Sequence, residues 1–443
     1  MFLPCYAPAM VTASLRWLYL DLNSYFAHVE QQLDPSLRGQ PVVVAPVDSD
    51  STSAIAASYE AKKFGIRTGT KIHEARALCR DIRVVPARHG EYVRFHHAII
   101  AEVERHVPVT AVCSIDEVAC RLLDNENAPA AVTALAARIK AGIRAHVGEC
   151  LTVSIGVAPN RLLAKMAADM QKPDGLTILP PETLAARLAT LKLSDIPGVG
   201  RNMERRLAAA GIVTMERLLA LTPREARLAW GSVWGERMHW LLQGADVAEV
   251  PTQQRSIGHS HVLGPDKRSP DRARLVARRL AAKAATRLRR AERTAGWIGL
   301  AVKAEARFGE KPAKWSSGLR LPQVMDTVTL LERLDTLWHR MRGEFGPQRY
   351  LQVSIVLGEL GDAGAVQHDL FQGASAPGLF DGPSTPSAAD AARRLALSVA
   401  MDKVNARFGR DAVTLGHDAA GASRSQGPRI AFTRIPELAE FHE

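Results

Sequence analysis

Val109-Thr110-Ala111-Val112-Cys113-Ser114-Ile115-Asp116-Glu117 is the stretch whose reading decides the fold. Its first five residues form an apolar run that reads as a buried strand, and two adjacent carboxylates stand just beyond it. At the rim of an apolar layer, Asp116 and Glu117 repel one another and raise each other's pKa unless a divalent cation neutralises both. On this segment alone two readings stand open, a metal site and an exposed acidic hairpin turn. A second segment separates them. Trp17-Leu18-Tyr19-Leu20 is another short apolar run, it ends in Asp21, and Leu22-Asn23-Ser24-Tyr25-Phe26 follows at once. Three carboxylates at two strand ends can hold two metal ions.

Outward from these segments, a strand over 41–45 and helices over 56–64 and 71–79 form a small insertion. Next come a strand at 83–86, a helix at 91–106, and a hairpin pairing 109–113 with 118–122. A helix over 130–147 and a strand over 151–156 follow. Without the insertion the order from Trp17 is β-α-β-β-α-β, the split βαβ arrangement in which the third strand lies beside the first and runs antiparallel to it. That topology carries Asp21 to Asp116 and Glu117.

The chain has 443 residues, 47% of them hydrophobic, enough for several cores and about three domains at roughly 150 residues each. Lys and Arg number 57 against 46 Asp and Glu, which gives +11 and a pI near 9.6. Such a balance favours a polyanionic partner, nucleic acid first, over an acidic-substrate pocket. The five cysteines include no Cys-x-x-Cys pair, so neither a disulfide frame nor a zinc site is indicated, and a reducing cytoplasm fits. Residues 1–11 are mildly apolar but lack a basic flank and the length to span a bilayer, so no membrane anchor is read there.

A helix over 161–170 precedes Gln171-Lys172-Pro173-Asp174-Gly175, where proline and glycine fix Lys172 at a turn. There Lys172 is either a solvated C-terminal charge or, facing the carboxylates, a phosphate ligand. From Pro180 the spacing is helical, broken by Ile196-Pro197-Gly198-Val199-Gly200. Gly198 and Gly200 let backbone amides at a helix start approach a DNA phosphate, as in helix-hairpin-helix elements, although an ordinary helix-helix turn also uses glycine. Beyond a polar junction at 249–254, the helix over 271–293 carries an apolar stripe of Val276, Leu280, Ala284 and Leu288. A cationic row of Arg279, Lys283, Arg287 and Arg290 runs beside it, as a solvated face or a DNA contact. Strands at 296–302 and 351–357 with a helix at 330–341 complete an α+β domain. Residues 358–388 are too rich in Gly, Ala, Pro, Ser and Asp to bury a core, and a further helix is expected at 389–408.

Taken together, these motifs resemble the Y-family translesion DNA polymerases, most closely their bacterial DinB, or polymerase IV, branch. The resemblance runs from Trp17 to about Gly358. It is carried by Asp21-Leu22-Asn23-Ser24-Tyr25-Phe26, Ser58-Tyr59-Glu60-Ala61-Lys62-Lys63-Phe64-Gly65-Ile66, Ser114-Ile115-Asp116-Glu117, the segment from Ala164 to Gly175, Ile196 to Gly200, and Arg255-Ser256-Ile257-Gly258. It implies an α+β multidomain right hand. The palm, ferredoxin-like βαββαβ, would take 16–24 and 88–179, and small fingers 25–87. A helical helix-hairpin-helix thumb would take 180–246, a linker 247–254, an α+β little finger 255–358, and a flexible C-terminal tail 359–443, with 1–15 as an N-terminal extension.

The resemblance further implies that Asp21, Asp116 and Glu117, with the Leu22 carbonyl, hold two Mg²⁺ ions per site. Tyr59 and Lys172 match triphosphate-binding positions, and Phe26 matches the steric gate that excludes a ribose 2′-hydroxyl. Lys62 stands where the family usually has arginine, and Ala56 where relatives commonly have a hydroxyl. Both departures weaken the grip on the incoming dNTP, because an ammonium cannot make the guanidinium's bidentate fork. Gln367-His368-Asp369-Leu370-Phe371 looks like the bacterial sliding-clamp-binding peptide, with Gln367, Leu370 and Phe371 as anchors. The expected activity is low-fidelity, DNA-directed DNA synthesis past lesions by a monomer on primer-template DNA in the cytoplasm, nucleoid-associated and without a membrane partner. The alternatives are a catalytically silent DNA-binding scaffold homologue in a mutagenesis complex and a helix-hairpin-helix nuclease.

Overall fold

The computed structural model describes residues 14–47, 49–50, 52–249, 253–306, 310–363, 388–409 and 412–415, which fall into two compact units with the chain passing from one to the other near residue 250. The first unit opens with β1 (Trp17–Leu22), α1 (Tyr25–Leu33), β2 (Val42–Ala45), β3 (Ala56–Ala57), α2 (Tyr59–Lys62), α3 (Ile72–Leu78) and β4 (Arg83–Pro86). It continues with α4 (His89–Glu104), β5 (Ala111–Val112), β6 (Glu117–Arg121), α5 (Pro129–Gly142), β7 (Val153–Ala158), α6 (Arg161–Met170) and β8 (Leu176–Ile178). The helices α7 (Leu184–Ala189), α8 (Arg201–Ala209), α9 (Met215–Leu219), α10 (Pro223–Trp230) and α11 (Val233–Leu242) close it.

The principal sheet has the order β5-β6-β1-β7-β8. Its centre is β1, antiparallel to both β6 and β7, and Asp21 lies directly opposite Glu117. The antiparallel pairing expected between first and third strands is therefore present. Alternation divides the strands between two cores. Leu18, Leu20 and Leu22 of β1 join Val118, Cys120, Val153, Ile155 and Val157 against Tyr92, Val103, Leu135 and Ile139 of α4 and α5. The opposite face presents Tyr19, Ala119 and Ala158 to Leu163, Ala164, Ala167 and Ala168 of α6, and the same core continues into the helices that follow.

Small residues let α6 lie close on the sheet. A Cβ at Gly156 would stand 2.1 Å from the Ala164 carbonyl oxygen and 2.2 Å from the Ala168 nitrogen, both backbone atoms that cannot swing aside.

A separate three-stranded sheet, β3-β2-β4, carries its own small core of Val43, Ala57, Ala61, Ile66, Ile72 and Ala75 with four neighbours. Helix 56–64 is not formed as expected. Ala56 and Ala57 pair with β2, and the helix is the four-residue α2, because the Ser58 hydroxyl accepts the Ala61 N–H and caps it there. The expected buried strand at 109–113 is also corrected. Only Ala111 and Val112 pair, at the sheet edge, and Thr110, Val112 and Cys113 are exposed. The interior strand is β6, whose Val118, Ala119 and Cys120 are buried. An apolar run cannot by itself distinguish edge from centre.

The second unit contains β9 (Ser256–Val262), α12 (Pro270–Arg290), β10 (Arg293–Ala304), β11 (Lys314–Val324), α13 (Thr327–Phe345), β12 (Tyr350–Asp362) and α14 (Ala388–Phe408). Its antiparallel sheet, β11-β10-β12-β9, packs against α12 and α13, and Leu280, Ala284 and Leu288 of the expected stripe are buried there. Strands β9 and β11 escaped the sequence reading because Ser, Gly, His and Pro interrupt them. Strand β12 runs to Asp362, so part of the segment thought unable to pack is paired with β10. The expected helix near 389–408 forms as α14 and docks through polar contacts. The Thr327 N–H donates to Ser398 Oγ at 3.0 Å, Arg289 Nε pairs with Asp402 at 2.7 Å, and Arg394 pairs with Glu332 at 2.7 Å. Among the described residues no helix is long and apolar enough to cross a membrane.

Gly156→Val is expected to lower the melting temperature, read by circular dichroism, through overpacking of about 1–3 kcal/mol, roughly 5–10 °C for a unit of this size.

Candidate active site

Backbone pairing assembles the site. Beyond the Asp21–Glu117 register pair, the Leu22 N–H donates to the Asp116 carbonyl at 2.9 Å, so the end of β1 and the turn before β6 are one hydrogen-bonded piece. On the other side the His96 ring is 2.8 Å from the Ile115 carbonyl. Asp21 is buried, and Asp116 and Glu117 are half-buried.

Ser114 Oγ donates to Asp116 Oδ1 at 2.6 Å and Tyr19 OH donates to Glu117 Oε2 at 3.1 Å. Burial pushes the Asp116 carboxyl up despite the Ser114 hydrogen bond, and the charges of Glu117 and Asp21 push it further. Burial, reinforced by Glu117, likewise holds the Tyr19 phenol protonated.

Two ammonium groups lie on this acidic cluster. Lys165 Nζ, from α6, bridges Asp21 and Glu117, with Glu117 Oε1 at 2.5 Å and Asp169 Oδ2 at 3.2 Å. Lys172 Nζ is 2.7 Å from Asp21 Oδ1 and 2.7 Å from Asp169 Oδ1. Burial alone would lower both lysines, but the facing carboxylates outweigh it and hold both above the ordinary value. Lys172 thus faces the carboxylates.

The Lys172 turn is fixed through buried Asn23. Its Oδ1 accepts the Asp174 N–H at 2.8 Å and its Nδ2 donates to Ser154 Oγ at 3.1 Å, while Ser154 Oγ donates to the Gln171 carbonyl at 3.1 Å.

The small sheet supplies the other wall. Lys62 Nζ donates to Ser24 Oγ at 2.7 Å and lies 4.0 Å from the Tyr59 ring centroid. Burial lowers Lys62, and the nearby Lys172 charge adds to this. Burial raises Tyr59, which also senses Lys172, Asp21 and Asp169. The Phe26 ring stacks on Tyr92 with centroids 4.4 Å apart. The fold therefore gathers Asp21, Asp116, Glu117, Tyr59, Lys62 and Lys172, with Phe26 in the first turn of α1, four residues past the end of β1.

Gly200 is the N-cap of α8 and Gly198 has φ +91, a left-handed conformation suited to glycine, in the helical segment beyond β8. Gln367, Leu370 and Phe371 lie outside the described residues. Sequence reasoning passed over Lys165, Asp169 and Asn23. The i, i+4, i+7 spacing of Lys165, Asp169 and Lys172 was the available signal, since it sets charges of both signs on one helical face.

No group of three His, Cys, Asp or Glu side chains among the described residues is arranged to hold a metal ion in this form. The donor chemistry nevertheless fits a hard divalent cation. All donors are oxygen, the like charges raise Asp116, and the cluster already gathers two cationic side chains.

Comparison with known proteins decides what this arrangement belongs to. The impB/mucB/samB family model matches residues 20–169, and that family's C-terminal domain matches residues 254–370. DNA polymerase IV of Moorella thermoacetica is 36% identical over 375 residues, 82% of this chain and 90% of its own. The chain belongs to the Y-family DNA polymerases. DNA polymerase IV 2 of Mesorhizobium japonicum is similar over a longer span, 32% identical over 415 residues, 92% of this chain and 95% of that one. A chimeric Y-family polymerase of Dbh and Dpo4 shares the fold with a TM-score of 0.63, at 24% identity over 78% of this chain and 99% of that one. This Y-family polymerase is a DNA-directed nucleotidyltransferase of translesion synthesis, and the silent-scaffold alternative is not favoured. Polymerases of the family use divalent metal ions.

Lys165→Met would leave the carboxylates short of one counter-charge. The expected cost without metal is about 3 kcal/mol, as for other broken part-buried pairs, or roughly 10 °C of melting temperature. Added Mg²⁺ should restore more of it in the variant than in the parent, as read by differential scanning calorimetry.

Proposed function

We propose that the chain performs its polymerase reaction with Asp21, Asp116, Glu117 and the Leu22 carbonyl as ligands of two Mg²⁺ ions. The observation that carries this reading is the convergence of Asp21 and Glu117 in one strand register with Lys165 and Lys172 upon them. When bound, the metal ions activate the primer 3′-hydroxyl and neutralise the triphosphate and leaving pyrophosphate.

The chain's own groups do the rest. Lys172 turns from Asp21 and Asp169 to the triphosphate, and Tyr59 and Lys62 grip it from the small sheet. Lys62 does so as a point charge, with a weaker hold than a guanidinium fork, and Ala56 adds no hydroxyl. Phe26 closes the space under the sugar so that a deoxyribose fits and a 2′-hydroxyl does not. The amides at Gly198 and Gly200 meet a DNA backbone phosphate, helped by the net charge of +11. In domain terms, 16–24 with 88–179 act as palm, 25–87 as fingers, 180–246 as thumb and 255–358 as little finger.

The enzyme works as a monomer in the cytoplasm on nucleoid DNA, and Gln367, Leu370 and Phe371 tether it to a sliding clamp. Such a tether raises the effective concentration at a primer end without changing the chemistry.

Primer-template, Mg²⁺ and dNTPs test the site directly. The parent should extend the primer, and Asp116→Ala should lose at least about a thousandfold in kcat, the scale of losing a central electrostatic group. Primer shortening would mark a nuclease, and an Asp116→Ala enzyme of undiminished rate would remove that carboxylate from the site. For the tether, a Leu370→Ala, Phe371→Ala variant should extend normally alone and lose its stimulation by added clamp. Equal stimulation of both proteins would refute the docking role.

A further inference from the structure

Behind the Phe26 ring lies the Glu30–Arg88 charge pair, reached through Tyr92. Tyr92, fully buried on α4, stacks on Phe26 with centroids 4.4 Å apart and planes inclined by 20°. Three hydrogen bonds fix that tyrosine. Its hydroxyl donates to Glu30 Oε1 at 2.7 Å, the same hydroxyl accepts the Arg88 N–H at 3.1 Å, and its carbonyl accepts the Tyr25 hydroxyl at 2.6 Å. Glu30, on α1, is fully buried, and its charge is met by the Arg88 guanidinium, with Nε 2.9 Å from Oε2 and Nη2 on the same oxygen. Arg88 stands at the N-cap of α4, a few residues beyond β4, where the chain returns from the small sheet.

A buried carboxylate is costly unless it is paired and hydrogen-bonded, and this one is both. The oriented ion pair therefore anchors the hydroxyl end of the Tyr92 ring, and that ring is the surface on which Phe26 rests. The pairing runs across three elements, α1, α4 and the stretch leaving β4, so the backing of Phe26 is set by tertiary charge geometry and not by α1 alone.

We propose that Glu30, Arg88 and Tyr92 are positioning residues for sugar selection, holding Phe26 at the height that excludes a ribose 2′-hydroxyl. This rests on the reading of Phe26 as the steric gate. The selective surface is then a stacked pair of rings with an ionic backstop, and its setting responds to a residue outside the nucleotide pocket. Loosening the backstop lets Phe26 settle back, which opens room under the sugar while leaving the carboxylates and lysines of the metal site untouched.

The test compares kcat/KM for dNTP and rNTP incorporation opposite one template base in the parent, Tyr92→Phe, Glu30→Gln, Arg88→Met, Arg88→Lys and Phe26→Ala. Tyr92→Phe keeps the ring and removes one hydroxyl, so it remains informative if the charge variants fold poorly. The dNTP preference should fall about five- to tenfold in Tyr92→Phe and further in Glu30→Gln and Arg88→Met, chiefly through higher rNTP kcat/KM. Arg88→Lys should recover part of it. In a Phe26→Ala background, adding Tyr92→Phe should change the preference by less than about twofold, because the ring to be positioned is gone. A purely structural role predicts the reverse, lower melting temperature and equal losses for both sugars, and that result overturns the proposal. If Phe26→Ala alone leaves sugar preference unchanged, the gate reading itself fails. If Phe26→Ala relaxes it while Tyr92→Phe and Glu30→Gln do not, only the positioning role fails.

Discussion

The antiparallel pairing of β1 with β6 sets Asp21 opposite Glu117, with Asp116 one residue away, and the rest of the site answers that concentration of negative charge. Like charges directly across a ladder destabilise a sheet, so a sheet built this way needs cations at its rim. The fold brings them from α6 and the turn after it. Helix α6 approaches closely enough because Gly156 and the alanines of both surfaces leave room for it. Strand register, close helix packing and active-site electrostatics are thus one constraint. A change that lifts α6 removes Lys165 and Asp169 from the carboxylates without touching either strand.

The acidic residues were legible because they end or begin strands, where a run of apolar residues makes a carboxylate conspicuous. The order of elements implies the topology and with it the placing of Asp21 beside Glu117. Burial was less legible. The run from Val109 to Cys113 is as apolar as an interior strand, yet it lies on the sheet edge, and the interior place belongs to Val118, Ala119 and Cys120. Periodicity reports which side of a strand faces a core but not how many neighbours the strand has.

The residues that sequence reading missed act through partners remote in the chain. Asn23 looks like an ordinary loop amide until Ser154 and Asp174 are found on either side of it. Lys165 looks like a surface charge on an amphipathic helix until β1 and β6 are found beneath it. Glu30 is a polar residue in a helix whose apolar pattern says nothing of Arg88, 58 positions away. In each case the side chain's meaning lies in a tertiary pairing that local spacing does not encode. Strands β9 and β11 were missed for a different reason, since each has a single buried residue and Ser, Gly and Lys are among those at their more exposed positions.

The three-stranded sheet bearing Tyr59 and Lys62 has a core of its own, ten buried residues of which five are alanine. So little apolar area supports only modest local stability, whereas the sheet bearing the carboxylates is packed on both faces. The two walls of the nucleotide site therefore differ in stiffness. Heat or mild denaturant softens the wall that carries Tyr59 and Lys62 while the carboxylate wall stays in register. On the proposed assignment of these two walls, such a division lets one side yield to a misshapen base pair while the reacting groups stay aligned on the other.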